Sequence, residues 1–161
     1  MGNKIYGSNN EPLKIQFITD THYYSRKIGT SGKAYKKAES KSQKVIKDSD
    51  LVIKAGFDML CEDKSTDIVV IAGDTTRDGE IESHKEFIEM LRDLKKRGKR
   101  VYVITVTHDF SDSGVANGYD GDKQIEVPAV EDRHDLWDMY YEFGPNEAIS
   151  THPDSMSYVV Q

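Results

Sequence analysis

Three short apolar runs, each followed within a few positions by aspartate or histidine, constrain this chain more than any other feature. Ile15-Gln16-Phe17-Ile18 leads into Asp20-Thr21-His22, Ile68-Val69-Val70-Ile71 into Gly73-Asp74, and Val101-Tyr102-Val103-Ile104 into Thr107-His108-Asp109. Brief runs rich in β-branched residues and bounded by turn residues read as buried strands of a parallel sheet, separated by helices. In an open parallel sheet, chemistry collects beyond the carboxyl ends of the strands. Three segments far apart in sequence can therefore deliver Asp20, His22, Asp74 and His108 to one crevice. Carboxylate oxygens and imidazole nitrogens in one place suit hard or borderline divalent metals. Taken singly, an aspartate closing a strand reads as a turn residue or helix cap; the joint pattern favours ligands.

The rest of the chain fits an alternating order. The polar stretch 1–12 reads as a loose terminus ending in the turn residues Asn9-Asn10-Glu11-Pro12, and Tyr23 to Lys33 as a Gly- and Ser-containing loop. One long helix is expected over Ser42 to Leu60, with Val45, Val52, Ile53, Phe57 and Leu60 as its apolar stripe. Another is expected from about Glu80 to Arg97, with Ile81, Phe87, Ile88, Leu91 and Leu94 inward and Lys95-Lys96-Arg97-Gly98 as its stop signal. Asp78 stands where it would cap that helix, and His84 is placed on its polar, solvated side. Ser111 to Asp122, polar and carrying three glycines, reads as an extended loop. A last helix is expected over Glu131 to Phe143, with Leu136, Trp137, Tyr140 and Tyr141 partly buried. Ser157-Tyr158-Val159-Val160 resembles the start of a further strand. The fold class is α/β in β-α-β-α-β order.

Composition narrows the function. The net charge of −6 argues against nucleic acid as an obligate partner. It leaves phosphate esters open, because bound cations supply a local positive field. No apolar stretch approaches the roughly 18 residues needed to span a bilayer. Cys61, the single cysteine, can form no internal disulfide and reads as a small buried hydrophobe. Met1-Gly2-Asn3 begins no recognisable leader, and Tyr6 breaks a myristoylation pattern. The cytoplasm is the default compartment, with an exported form whose leader was removed as the alternative.

The motifs, taken in order, resemble the calcineurin-like metallophosphoesterase superfamily. They are Asp20-Thr21-His22, Gly73-Asp74-Thr75-Thr76-Arg77-Asp78-Gly79-Glu80, Val106-Thr107-His108-Asp109, Ser83-His84-Lys85-Glu86 and the late Phe143-Gly144 and Asp154-to-Val160 segments. The resemblance implies a layered sandwich, of which residues 1–161 would be the N-terminal portion. It implies hydrolysis of phosphoric esters by hydroxide held between two divalent metal ions, manganese, iron or zinc. Asp20 and His22 would bind the first ion, Asp74 would bridge, and Thr107 would stand where the family places an asparagine ligand of the second. His108 would be the general acid and Asp109 a candidate for orienting its ring. Tyr23 and Tyr24 follow the first motif, where substrate contact and aromatic packing explain them equally.

Two departures separate the chain from the family pattern. Val106-Thr107 replaces the Gly-Asn pair, and no Gly-His-x-His segment supplies the remaining histidines, since His134 and His152 stand alone as expected surface groups. A C-terminal half is the implied partner, the substrate is a small phosphoester such as a nucleotide, and the isolated chain is expected to be inactive. The alternative is a non-hydrolytic relative that binds a phosphorylated ligand or partner. A metal-free nucleotide-binding domain ranks last, because the chain has no Gly-rich phosphate loop.

Overall fold

A computed structural model describes residues 12–161. The residues before Pro12, with the terminal turn and the leader and acylation readings, lie outside the described part. The elements run β1 (Ile15–Ile18), α1 (Gly32–Lys41), α2 (Ser49–Glu62), β2 (Ile68–Ala72), α3 (Ile81–Lys96), β3 (Arg100–Ile104), β4 (Val115–Asp120), β5 (Lys123–Pro128), α4 (Arg133–Met139), β6 (Ser150–Thr151) and β7 (Tyr158–Val159). The chain is mixed α/β around a small parallel sheet of order β1-β2-β3. Ile18 pairs with Ile71, and Ile71 with Val103, so the three strands end side by side.

Side-chain alternation sends Val69, Ile71, Val101 and Val103 to the face that α2 and α3 cover. They join one core with Ile53, Phe57 and Cys61 of α2 and with Phe87, Ile88, Leu91 and Leu94 of α3. Each such side chain, fully buried, contributes about 1.5–3 kcal/mol. Leu136, Tyr140 and Phe143 close the same core from the α4 side. Helix α3 ends as the sequence implies: Gly98, at φ 95°, donates to Lys95 O and Lys99 to Leu94 O, the paired bonds of a Schellman stop. The outer edge of β3 is occupied, since Val103 N donates to Phe143 O and the Tyr158 hydroxyl donates to Val103 O. Among the described residues, no helix is long and apolar enough to cross a membrane.

Several expectations are corrected. The helix expected over 42–60 begins only at Ser49, as α2; residues 42–48 are a turned connection, and a separate helix, α1, precedes them at Gly32–Lys41. The break removes Val45 from the helical phase and leaves it exposed. The buried face of α2 is Ile53, Phe57 and Cys61, spaced by four, whereas Val52 faces outward. The loop expected over 111–122 is largely the strand β4, which pairs antiparallel with β5 through a two-residue turn at Gly121-Asp122. Its glycines mark packing as well as turning: a Cβ on Gly118 would sit 2.5 Å from Val127 Cγ1. α4 is shorter than expected, and Tyr141 points to solvent at 53% exposure.

Candidate metal centre

Backbone hydrogen bonds zip the turn after β1 to the turn after β2. Asp20 N donates to Gly73 O, His22 N to Asp74 O at 2.9 Å, and Tyr23 N to Thr75 O at 2.8 Å. Thr21 Oγ1 adds a bond to Thr75 O. The two turns thus form one surface at the carboxyl end of the sheet.

On that surface Asp20, His22 and Asp74 converge. One potential ligand atom from each lies within 4.8 Å of the other two, the one such cluster among the described residues. His22 Nε2 is 3.8 Å from Asp20 Oδ1 and 3.7 Å from Asp74 Oδ2. The other ring nitrogen, Nδ1, faces the Thr76 carbonyl at 3.3 Å. A carbonyl only accepts, so a neutral ring carries its proton on Nδ1 and turns the Nε2 lone pair toward the carboxylates. That is the tautomer a metal ligand needs, fixed by a backbone partner.

Two further observations fit a cation at this point. Asp74 Oδ1 is buried without a hydrogen-bond partner, an arrangement that costs free energy unless something positive sits against it. In addition, the non-glycine residues with positive φ among those described are Asp20 (56°), His22 (42°) and Asp74 (50°). Left-handed backbone at a non-glycine residue costs of order 1–3 kcal/mol and persists where the surroundings hold it. The strain therefore falls on the same three residues as the potential ligands.

His108 lies beside this group on a 3-10 turn (Thr107–Asp109), its ring edge-on to His22 with centroids 5.2 Å apart. The valine before that turn imposes no strain, because Val106 sits at φ −139°, ψ −163°. Its side chain packs over Gly73, where a Cβ would come within 2.5 Å of Val106 Cγ2. Thr107 is exposed and, with His108, Asp78 and Phe110, lines an open cavity of about 400 Å³.

Asp109 points away from the cavity. Its buried carboxylate accepts from Thr75 N (2.8 Å), Thr76 N (3.0 Å), the Thr75 hydroxyl and Val106 N (2.9 Å). Four donors occupy it, so it clamps the β2 turn to the β3 turn and no contact joins it to the His108 ring. The carboxylate near that ring is Asp78, with Oδ1 3.7 Å from His108 Nδ1. Asp78 is accordingly not the cap of α3; that position belongs to Glu80.

His84 also differs from expectation. It is fully buried because α4 and the β3 turn cover the first turn of α3. Its Nε2 donates to Asp109 O and its Nδ1 accepts from the Tyr140 hydroxyl, both at 2.7 Å. Burial depresses its pKa, keeping the ring neutral, and raises that of Tyr140. This chain of bonds supports the main chain next to His108 from behind. Glu80 is buried too, and burial pushes its carboxyl up to about 7. His134 and His152 are exposed, as expected, and line a separate cavity of about 240 Å³ with Arg133 and Trp137. Lys44, from the connection at 42–48, reaches the site with its ammonium 3.4 Å from His108 Nδ1. No local sequence signal marks Lys44 or the burial of Glu80 and His84; each depends on which segments pack together. No protein-family model and no curated protein sequence matches the chain.

Proposed function

We propose that this chain carries the metal-binding part of a phosphoric-ester hydrolase of the calcineurin-like metallophosphoesterase kind. The observation that carries the reading is the meeting of Asp20, His22 and Asp74 at 4.8 Å or less on strained, zipped turns. The ordered motifs add the reaction class. In this reading the helix-covered sheet is one layer of the family's sandwich.

Asp20 and His22 would hold one divalent ion, manganese, iron or zinc. Asp74 would be shared with a second ion, for which the resemblance names Thr107 as a hydroxyl ligand. When bound, such ions neutralise phosphoryl oxygens and make water a competent nucleophile near neutral pH. The chain's own groups do the rest. Thr76 O holds the His22 tautomer, Asp109 holds the two turns in register, and His108 faces the cavity as proton donor to the leaving oxygen of a small phosphoester, a nucleotide included. Asp78, not Asp109, is the carboxylate within reach of that ring. Remaining ligands would come from a C-terminal half of the same protein.

Turnover tests the reading. Manganese-loaded protein carrying the C-terminal ligands should hydrolyse p-nitrophenyl phosphate or its diester, while the 161-residue chain alone should be nearly inactive. His108→Ala should lower kcat about 10²–10⁴-fold, the usual share of a general acid. A metal-loaded, complete protein without turnover on any phosphoester would favour a ligand-binding relative instead.

A further inference from the structure

We infer that Lys44 is the phosphoryl-binding cation of this site; the inference rests on the phosphoesterase reading above. Lys44 lies in the connection between α1 and α2, far in sequence from every motif. Its side chain is half-buried, with Nζ 3.3 Å from Arg77 O and 3.4 Å from His108 Nδ1. Among the described residues, no carboxylate lies within 4 Å of that ammonium, although Lys27, Lys33, Arg26, Arg77, Arg92, Arg97 and Arg100 all have one. An ammonium carries three N–H donors. Two are directed at Arg77 O and His108 Nδ1, which leaves one without a protein acceptor.

Its position says what that donor meets. Lys44 lines both a groove of about 950 Å³ that includes Asp20 and His22 and a cavity of about 430 Å³ that includes Arg77 and Asp78. It therefore stands between the groove that reaches Asp20 and His22 and the neighbouring cavity, one imidazole ring away from His22. An oxyanion held through a cation at Asp20 and His22 would share that groove with the Lys44 ammonium. A half-buried ammonium there makes a charge-assisted bond that is stronger than one at the open surface.

Phosphorus-31 line broadening by bound manganese tests this on the full chain, with inorganic phosphate as probe. Lys44→Met keeps the aliphatic stem and removes the charge; Lys44→Arg keeps the charge. Manganese affinity should stay within about twofold in both variants, because Lys44 is not a ligand. Phosphate affinity should fall about ten- to a hundredfold in Lys44→Met, the range for losing a hydrogen bond to a charged group, and recover largely in Lys44→Arg. Equal phosphate binding by wild type and Lys44→Met, with manganese bound to both, overturns the role of Lys44 and leaves the metal site standing. Manganese bound without measurable phosphate in wild type overturns it as well. A folded wild type that binds no manganese removes the phosphoesterase reading, and this inference with it.

Discussion

Asp109 decides how the site is held together, and its consequences are specific. Its carboxylate accepts from Thr75 N, Thr76 N, the Thr75 hydroxyl and Val106 N, so Asp109→Ala would strand several buried donors at once. The expected loss is about 2–5 kcal/mol by denaturant unfolding, from the cost of leaving buried polar groups unpaired. A loss below about 0.5 kcal/mol would contradict the clamp. Glu80 gives a pH signature. Its carboxyl ionises near 4.5 in the unfolded chain and at about 7 when folded, so the folded state binds more protons between those values. Stability should therefore fall as pH rises from about 4.5 to 7, because the unfolded chain is free to ionise there while the buried carboxyl must keep its proton. Glu80→Gln should flatten that part of the profile and be the more stable protein at pH 8; parallel profiles would contradict it. The proximity of Asp20, His22 and Asp74 was legible because residues closing parallel strands must meet. The roles of Asp78 and Asp109 were not, since their rotation about the turns depends on tertiary hydrogen bonds.

At the level of elements, the parallel strands and α3 were readable from pattern: continuous β-branched runs, a period near 3.6, and a basic last turn before Gly98. The hairpin β4-β5 was hidden because glycines that relieve close approach, such as Gly118 beneath Val127, resemble glycines that make loops. Helix α1 was hidden because it buries few apolar groups, Tyr35 chief among them, against Tyr119 of β4. The β2 turn offers an element-scale test. Gly73 at φ 84° lies under Val106, so Gly73→Ala should cost about 1–3 kcal/mol through backbone strain and overpacking. Pairing it with Val106→Ala should recover the overpacking share, measured as a double-mutant coupling energy. Strict additivity would contradict the contact between the two turns.

For the molecule as a whole, the two sides of the sheet are unequal. β3 has its outer edge engaged by Phe143 and Tyr158, whereas β1 is the other end of the sheet and carries Phe17 at 63% exposure. Val52 and Met59 of α2 are likewise 60% and 70% exposed and line the groove that runs to Asp20 and His22. Among the described residues no strand pairs with the outer edge of β1, and exposed apolar groups beside such an edge promote association. Sedimentation velocity should show self-association that rises with concentration and weakens in a Phe17→Ser, Met59→Glu variant; a strictly monomeric wild type would contradict this. The acidic net charge need not oppose phosphoester binding, because Lys44 and any bound metal ions would supply a local positive field.

The most direct test of the central claim is isothermal titration of the purified chain with manganese and with zinc, repeated on Asp20→Asn and Asp74→Asn. These substitutions keep side-chain volume and remove one ligand charge each, and circular dichroism confirms that the variants are folded. Wild type should show saturable binding that is lost or weakened about tenfold or more in both variants, as removal of a charged partner requires. Equal binding by all three folded proteins, or none by folded wild type, would contradict a metal centre built on Asp20, His22 and Asp74.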